Sequence, residues 1–480
     1  MQKLVLALSF VTTALFSQQW VDLNYSYDSV LNVSYGQSTN LVGELETHHM
    51  DIFIPKCPAN SASKKWPLML WIHGGGFIAG NKNDPSIQAL CKKFAQRGYV
   101  TASIEYRLGM ISSNRRIECN LNPDYPCLLA TDSAEWYRSY FRAVQDAKGA
   151  LRFLINKKEV LNIDETNVFV CGESAGAFTS LGVALLDLES EKPKEAYTIA
   201  DAPTPHIKNL PCIYNQNKTF PVGNIPRHDL GSIDGNIEPN APAYVIKGVG
   251  NIFGGMLSDL LKKSPAGKQK PVIYSFHQPC DIIVPIDSGA FFWGLSWCMV
   301  QGGCVSLSNT NAKIYGSRAF SNFNKTFNYG YTIKEEYGNI NFPYNFLFGD
   351  GSCADQLNKP CHAYDNRNLR ELNMAKFFAS YVSTPGPCTS VNSDDAYKEE
   401  SVIVIPNPVQ NSVEIRFPKS WENNIPSIQL YNVDLQVIKF IPNVQSSFVK
   451  IDLSDLPAGV YFIKFGQNHS HSFVKKIIKL

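Results

Sequence analysis

The sequence predicts an α/β domain followed by a small all-β domain. Between about residues 48 and 382, short apolar runs alternate with stretches of helical period. A polar, turn-rich stretch at 384–400 follows, and from there to the C-terminus the apolar period is two. Strands that are apolar throughout and alternate with helices imply a mostly parallel sheet covered on both faces. Alternating strands at about ten-residue spacing imply a sandwich.

In the first region MDIFIP (50–55), PLMLWIH (67–73), YVTASIEY (99–106), NVFVCG (167–172) and PVIYSF (271–276) read as buried strands. Residues 86–97, 133–157, 174–187 and 366–382 have helix-like apolar spacing. Two stretches interrupt the alternation. Residues 110–132 contain a Cys pair and few periodic apolar positions, and 203–270 are rich in Pro, Gly and Asn. Insertions of this kind lie over the carboxyl ends of the strands, where ligands bind, or are plain surface excursions. The reading is two candidate cap segments.

Beyond the stretch TPGPCTSVNSDDAYKEE, the runs VIVIP, SVEIRF, SIQLYN, VIKFI, SFVKIDL, VYFIKF and FVKKIIKL complete the all-β tail. The expected boundaries are a signal peptide at 1–17, a catalytic domain at 18–390, a linker at 391–400 and a β-sandwich at 401–480.

The length of 480 residues fits two or three domains. A net charge of +2 gives no basic surplus to drive phosphate binding, so nucleic acid is not an expected partner. No apolar run of about 20 residues occurs, so no permanent transmembrane anchor is expected. At the N-terminus Lys3 precedes an apolar stretch from Leu4 to Phe16, then Ser17 and Gln18, the pattern of a secretory signal cleaved near Ser17.

All 12 cysteines follow that segment. The close pairs Cys119/Cys127, Cys298/Cys304 and Cys353/Cys361 lack the CxxC and HxxxH spacings of metal sites, so disulfides in an oxidising compartment are the better reading. No metal or cofactor is called for.

Two motifs carry chemistry. Gly172-Glu173-Ser174-Ala175-Gly176 follows the apolar run NVFV and opens a helical stretch, the strand–turn–helix context in which G-x-S-x-G exposes a nucleophilic serine. The helix beginning there directs its positive end at developing negative charge. His73-Gly74-Gly75-Gly76-Phe77 ends the run PLMLWI. Its glycines let backbone N–H groups approach a substrate oxygen, which makes Gly75 and Gly76, with the amide of Ala175, candidate oxyanion donors.

With Tyr106-Arg107-Leu108-Gly109 and AVQDAKGALRFL (143–154), these motifs stand in the order of the α/β-hydrolase superfamily. The chain resembles its carboxylesterase/lipase branch over roughly residues 45–382, the shorter bacterial esterases more than the large type B carboxylesterases. The resemblance implies the α/β-hydrolase fold. The tail resembles the C-terminal sorting domain of the bacterial type IX (Por) secretion system through Pro406-Asn407-Pro408, IQLYNVDLQVI (428–438), IDLSDLPAGVYFIKF (451–465) and the closing KKIIKL. That resemblance implies the secretion machinery as a partner and a secreted or cell-surface location.

The acid and base follow by elimination, in the chain order Ser, Asp or Glu, His. His469 and His471 belong to the tail, and His206 and His228 leave no strand before them for the acid. His277 stands beside a loop, the place for a structural hydrogen bond. His362, before a helix, remains as the base. Asp281, in the loop after PVIYSF, is the expected acid, with Asp287 and Asp350 as alternatives. Cys353 and Cys361 are expected to pair immediately before His362.

Glu173 either tunes charge beside the nucleophile or is a structural acceptor. Trp136, Tyr137, Phe291, Phe292, Trp293 and Trp297 are candidate pocket residues, with core packing the favoured reading. The expected function is a secreted serine hydrolase of carboxylic esters, acting through an acyl-enzyme. A polyester depolymerase or a polysaccharide acetyl or feruloyl esterase is a sub-case. A serine peptidase and a non-catalytic adhesion protein are the alternatives.

Overall fold

The computed structural model describes residues 19–57, 61–63, 65–111, 133–199, 211–212, 226–263, 270–291, 312–338, 361–383, 388–390, 402–417, 427–442, 444, 446–467 and 471–480. The expected signal peptide, the linker 391–400 and the pairs Cys119/Cys127 and Cys298/Cys304 lie outside these residues.

Eight strands form the main sheet: β1 (Ser26–Thr39), β2 (Leu45–Lys56), β3 (Trp66–Ile72), β4 (Val100–Ile104), β5 (Ile163–Glu173), β6 (Ile246–Ile252), β7 (Val272–His277) and β8 (Ile333–Tyr337). Their spatial order is β1-β2-β4-β3-β5-β6-β7-β8. β2 pairs antiparallel with β1 and β4, and every pair from β4 through β8 is parallel. This is the α/β-hydrolase fold.

Helices α1 (Pro85–Gln96), α2 (Ser133–Asn156), α3 (Ala175–Leu185), α4 (Ser317–Phe327) and α5 (Arg367–Ala379) accompany the sheet. Every residue of β3 is buried, which is why it reads as an unbroken apolar run. β4 is buried as completely, and its Thr101 and Ser103 hydroxyls donate to the carbonyls of Cys91 and Lys82. α1 starts where Asp84 accepts the amides of Ser86 and Ile87, with Pro85 in the first turn, where its missing N–H costs nothing.

From β3 the chain passes through α1 to β4 on one side, then returns through α2 to β5 on the other. The direction of winding thus reverses between β3 and β5. A crevice opens at such a switch point, outside the carboxyl ends of the strands. HGGGF follows β3 and GESAG ends β5, so the winding brings both motifs to one place.

The stretch 203–270, expected to be an insertion, contains β6, a strand inside the sheet. Gly248 and Gly250 thin its apolar pattern; a Cβ on them would lie 2.7 Å from the Phe169 ring and 2.7 Å from Cys171 Sγ. The strand is kept small because its neighbours already fill the space. The two stretches read as caps also touch: Met110–Ile111 pairs antiparallel with Pro211–Cys212.

The C-terminal strands are β9 (Ile403–Ile405), β10 (Ser412–Arg416), β11 (Ile428–Tyr431), β12 (Val437–Ile441), β13 (Phe448–Asp452), β14 (Gly459–Gln467) and β15 (His471–Lys479). They form sheets of order β9-β10-β13 and β12-β11-β14-β15. Val413, Ile415, Leu430, Ile463, Phe465 and Ile477 form their shared core. Tyr431, Leu435 and Phe462 pack instead against the α/β core. Lys464 Nζ donates to the Glu159 carbonyl at 2.6 Å, and Lys157 Nζ to the Leu435 carbonyl at 2.9 Å. Both contacts fall just before β5 begins, at its amino end. Among the described residues no helix is long and apolar enough to cross a membrane.

Candidate active site

β5 delivers Ser174 into a forced turn. Ser174 has φ 53° and ψ −121°, a region that L-residues avoid, and its amide donates to the Ile252 carbonyl of β6 at 3.0 Å. The flanking glycines answer a close approach of backbones. A Cβ on Gly172 would lie 2.3 Å from the carbonyl carbon of Gly176, and one on Gly176 would lie 2.1 Å from the Ile72 carbonyl oxygen. The chain can therefore turn from β5 into α3 against β3 only with hydrogen at both positions.

His362 Nε2 lies 2.8 Å from Ser174 Oγ, and His362 Nδ1 lies 2.6 Å from Asp281 Oδ2. An ionised carboxylate only accepts, so Nδ1 carries the hydrogen and Nε2 is left to accept from the serine hydroxyl. The His362 side chain is 18% exposed and that of Asp281 is fully buried.

Asp281 Oδ1 accepts the amides of Ile283 and Val284 at 2.8 and 2.9 Å. Its Oδ2 also faces His277 Nε2 at 3.0 Å. Burial by itself raises the Asp281 pKa, but the charge of His362 and the hydrogen bonds from both histidines outweigh it and hold the carboxyl well below the usual range. Asp287 is exposed and pairs with Arg318, whose Nε donates to it at 2.8 Å. Asp350 lies outside the described residues.

His277 was expected to make a structural hydrogen bond; it makes one to Asp281 itself. Its Nε2 also lies 3.0 Å from the Val284 carbonyl, which can only accept, so Nε2 carries the hydrogen. Nδ1 meets Ser317 Oγ at 2.9 Å, and Asn251 Nδ2 donates to that same hydroxyl at 3.1 Å. The spacing of four between His277 and Asp281 is the one signal in the sequence that could have found this contact.

The glycine loop lies against the serine turn. A Cβ on Gly74 would come 3.2 Å from Ser174 Cβ. Gly75 has φ 107°, and its carbonyl accepts the amides of Ile78 and Ala79 at 3.1 and 3.0 Å. Among the described residues no protein acceptor takes the amides of Gly75, Gly76 or Ala175.

His73 holds the start of this loop: its Nδ1 lies 2.7 Å from the Gly74 carbonyl, and its ring stacks on Tyr106 at 4.3 Å. Burial pulls the His73 pKa down to about 4, so the ring is neutral at physiological pH. Tyr106 OH donates to the His73 carbonyl at 3.0 Å. Next to it, Arg107 is clamped by buried Asp146 of α2, with Nε–Oδ2 2.9 Å and Nη2–Oδ1 2.8 Å. The YRLG and QDAKG segments thus act together to support the glycine loop.

Glu173 is buried beside Ser174. Its Oε1 accepts from Ser86 Oγ at 2.6 Å and from Tyr364 OH at 2.8 Å, which ties the start of α1 and the His362 loop to the serine turn. Sequence reasoning did not find Ser86 or Tyr364, because neither belongs to a motif. Trp136, Tyr137 and Phe291 are buried, and Trp136 and Phe291 stack on each other at 4.4 Å. Phe291 also meets Phe178 of α3 at 5.0 Å, so these rings are core, while Phe292, Trp293 and Trp297 lie outside the described residues.

The expected partner of Cys361 is overturned. Cys361 is joined to Cys280, 81 positions away, rather than to Cys353 eight positions before it. The β7–Asp281 loop folds directly beside the His362 loop, and this contact in space decides the pairing. Cys57 joins Cys388, whereas Cys91 and Cys171 are free and buried. Among the described residues no group of His, Cys, Asp and Glu could hold a metal.

Residues 50–114 match the BD-FAE family, and residues 403–480 match the "Secretion system C-terminal sorting domain" (Por_Secre_tail). The sorting domain marks the chain for secretion or the cell surface. Gut esterase 1 of Caenorhabditis elegans is 24% identical over 115 residues, 24% of this chain and 17% of that protein. Para-nitrobenzyl esterase of Bacillus subtilis (strain 168) is 28% identical over 150 residues, 30% of this chain and 25% of that protein. The chain thus spans a quarter or less of the length of these relatives. Among solved structures, a truncated carbohydrate esterase from gut microbiota is 15% identical with a TM-score of 0.37, covering 75% of this chain and 97% of the other. Esterase 2 of Thermogutta terrifontis is 15% identical with a TM-score of 0.34 and the same coverage.

Burial raises the Glu173 pKa above its ordinary value, despite the hydrogen bonds from Ser86 and Tyr364. A carboxyl with a raised folded pKa binds its proton more tightly when folded. Its contribution to stability is therefore complete below the unfolded value of about 4.3 and is lost as pH rises through the folded value. Glu173→Gln keeps an acceptor for Ser86 and Tyr364 and cannot ionise. Urea denaturation should show the variant gaining on the native protein between pH 4 and pH 7. A difference in stability that does not change with pH would contradict the role of burial.

Proposed function

We propose that this chain is a secreted serine esterase that cleaves carboxylic esters through an acyl-enzyme. The hydrogen-bonded line from Ser174 Oγ through His362 to Asp281, beside three unused backbone amides, carries this reading. The esterase names of the matched relatives support it. The proposed organisation is a signal peptide at 1–17, a catalytic domain at 18–390, a linker at 391–400 and a sorting domain at 401–480 that engages the type IX secretion machinery.

In the proposed mechanism Ser174 Oγ attacks the ester carbonyl carbon while its proton passes to His362 Nε2. The tetrahedral oxyanion accepts hydrogen bonds from the amides of Gly75, Gly76 and Ala175. As the intermediate collapses, the bond to the alcohol oxygen breaks and His362 returns the proton to that oxygen. Water then attacks the acyl-serine by the same proton path, releasing the acid and restoring the serine. Throughout, Asp281 fixes the tautomer of His362 and stabilises the imidazolium.

Ser174→Ala should lower turnover of p-nitrophenyl esters by on the order of 10⁴ to 10⁶, with thermal unfolding nearly unchanged. An organophosphonate should label Ser174 and no other serine. Full activity in the Ala variant would reject the assignment. Running a chain-length series beside acetylated xylan and a feruloyl ester identifies the ester class.

Asp281→Asn should lower turnover by about 10⁴ while preserving the fold. Asp287→Asn, which removes only an exposed partner of Arg318, should do far less. The reverse order of effects would show that the acid is misassigned.

The tail meets the amino end of β5, whereas Ser174 follows its carboxyl end, 11 residues of strand away. At about 3.3 Å per residue the two lie on the order of 35 Å apart along the strand. Purified enzyme lacking residues 401–480 should keep its kcat within about twofold, because that distance leaves no direct contact. A large loss of kcat in a truncated protein that stays folded would contradict this separation.

A further inference from the structure

The two disulfides among the described residues join very different things. Cys57–Cys388 links the residue after β2 to a short strand 331 positions later, Cys388–Ser390, which pairs with Ser61–Ser63. Cys280–Cys361 links the residue before Asp281 to the residue before His362. Both of its cysteines are buried, at 0% and 1% exposure.

This bond is flanked by two others. Gln278 Nε2 donates to the Ala363 carbonyl at 2.7 Å, and Asp281 Oδ2 accepts from His362 Nδ1 at 2.6 Å. Residues 361, 362 and 363 are thus each attached to the segment 278–281, by a covalent bond, a charge-assisted hydrogen bond and a neutral one.

We propose that the Cys280–Cys361 disulfide is a positioning element of the site: it holds the His362 loop to the Asp281 loop so that the imidazole faces both Asp281 and Ser174. The proposal rests on the assignment of those three residues above. His362 sits in an irregular segment, and regular structure resumes only at Arg367, where Asn366 caps α5. The hydrogen bond to Asp281 fixes Nδ1 alone. Swinging the ring about that bond carries Nε2 away from the serine without breaking it. A covalent tether on the preceding residue removes that freedom, and the Gln278 bond on the following residue limits it from the other side. A displacement of about 1 Å at a reacting group costs on the order of 10²-fold in rate. The bond therefore contributes to turnover, not only to stability.

The test compares Cys280→Ala/Cys361→Ala with Cys57→Ala/Cys388→Ala, both in the full chain, on p-nitrophenyl butyrate. The first double variant should lose about 10- to 100-fold in kcat with KM within about twofold, and its labelling by an organophosphonate should slow in step. The second should lose thermal stability without a comparable loss of kcat. Native kcat in the first, or equal losses in the two, overturns the proposal.

Should the first variant fail to fold, native enzyme is opened stepwise with a trialkylphosphine, and each disulfide is followed by thiol alkylation and peptide mapping. Activity must fall with the loss of Cys280–Cys361 while circular dichroism stays native. Activity that survives that loss, or that tracks Cys57–Cys388, overturns the proposal. Ser174→Ala separates the two levels. An inactive Ser174→Ala beside a fully active Cys280→Ala/Cys361→Ala rejects the positioning role alone. An active Ser174→Ala rejects the assignment of the triad, and the positioning role with it.

Discussion

The backbone turn at Ser174 depends on three segments meeting without side chains between them: the end of β5, the first turn of α3 and the carboxyl end of β3. Hydrogen at Gly172 and Gly176 permits that contact, and the positive φ of Ser174 follows from it. Such a conformation costs on the order of 1–3 kcal/mol and persists only where its surroundings over-determine it. Here the surroundings are β5, buried from Val168 to Glu173, and α3, buried along its whole length. Each large apolar side chain so buried stabilises by about 1.5–3 kcal/mol, so a few of them offset the strain. The rest of the site is placed relative to this turn. The glycine loop arrives from the adjacent β3, and the Ile252 carbonyl of β6 holds the Ser174 amide.

The second requirement is electrostatic. Asp281 is a fully buried charge, which is costly unless every lone pair is used. Two backbone amides occupy Oδ1, and two imidazoles share Oδ2. His277 adds what His362 alone does not: it is anchored to Val284 and Ser317, so its hydrogen bond to Asp281 is held independently of His362. A carboxylate stabilised in this way remains ionised well into the acid range. Its opposite is Glu173, the residue before Ser174, where burial favours the neutral form. Two carboxyls in one site are thus pushed in opposite directions, one by donors and the other by desolvation.

How far the sequence was legible follows from the kind of information each feature carries. Strand β3 and the run Val168–Val170 of β5 are buried and announce themselves as apolar runs. β6 does not, because Phe169, Cys171, Phe378 and Met374 occupy the space its side chains would fill, and only their arrangement in space reveals that. β8 (IKEEY) lies at the sheet edge, where charged residues are tolerated and the apolar signal disappears. The residues of the proposed triad could be named because order along the chain restricts the choice to a few. Their supports could not: Ser86, Tyr364 and Gln278 act at contacts spanning 85 to 191 positions. The cysteines show the same limit. Nearness in sequence favoured Cys353 for Cys361, whereas the adjacency of two loops supplies Cys280.

The sheet also separates two tasks by its polarity. Parallel strands bring all their carboxyl ends to one side, where the chain places Ser174, the glycine loop, Asp281 and His362 from β5, β3, β7 and the approach to α5. The amino ends lie at the opposite edge of the sheet. The sorting domain packs there, through Tyr431, Leu435 and Phe462 and through backbone acceptors at Glu159 and Leu435. Backbone carbonyls as partners ask little of the side chains on either surface. A contact of this kind can hold a separately folded tail near the chain it accompanies, while the geometry at the other end of β5 is set by the turn at Ser174 and by the loops that meet it.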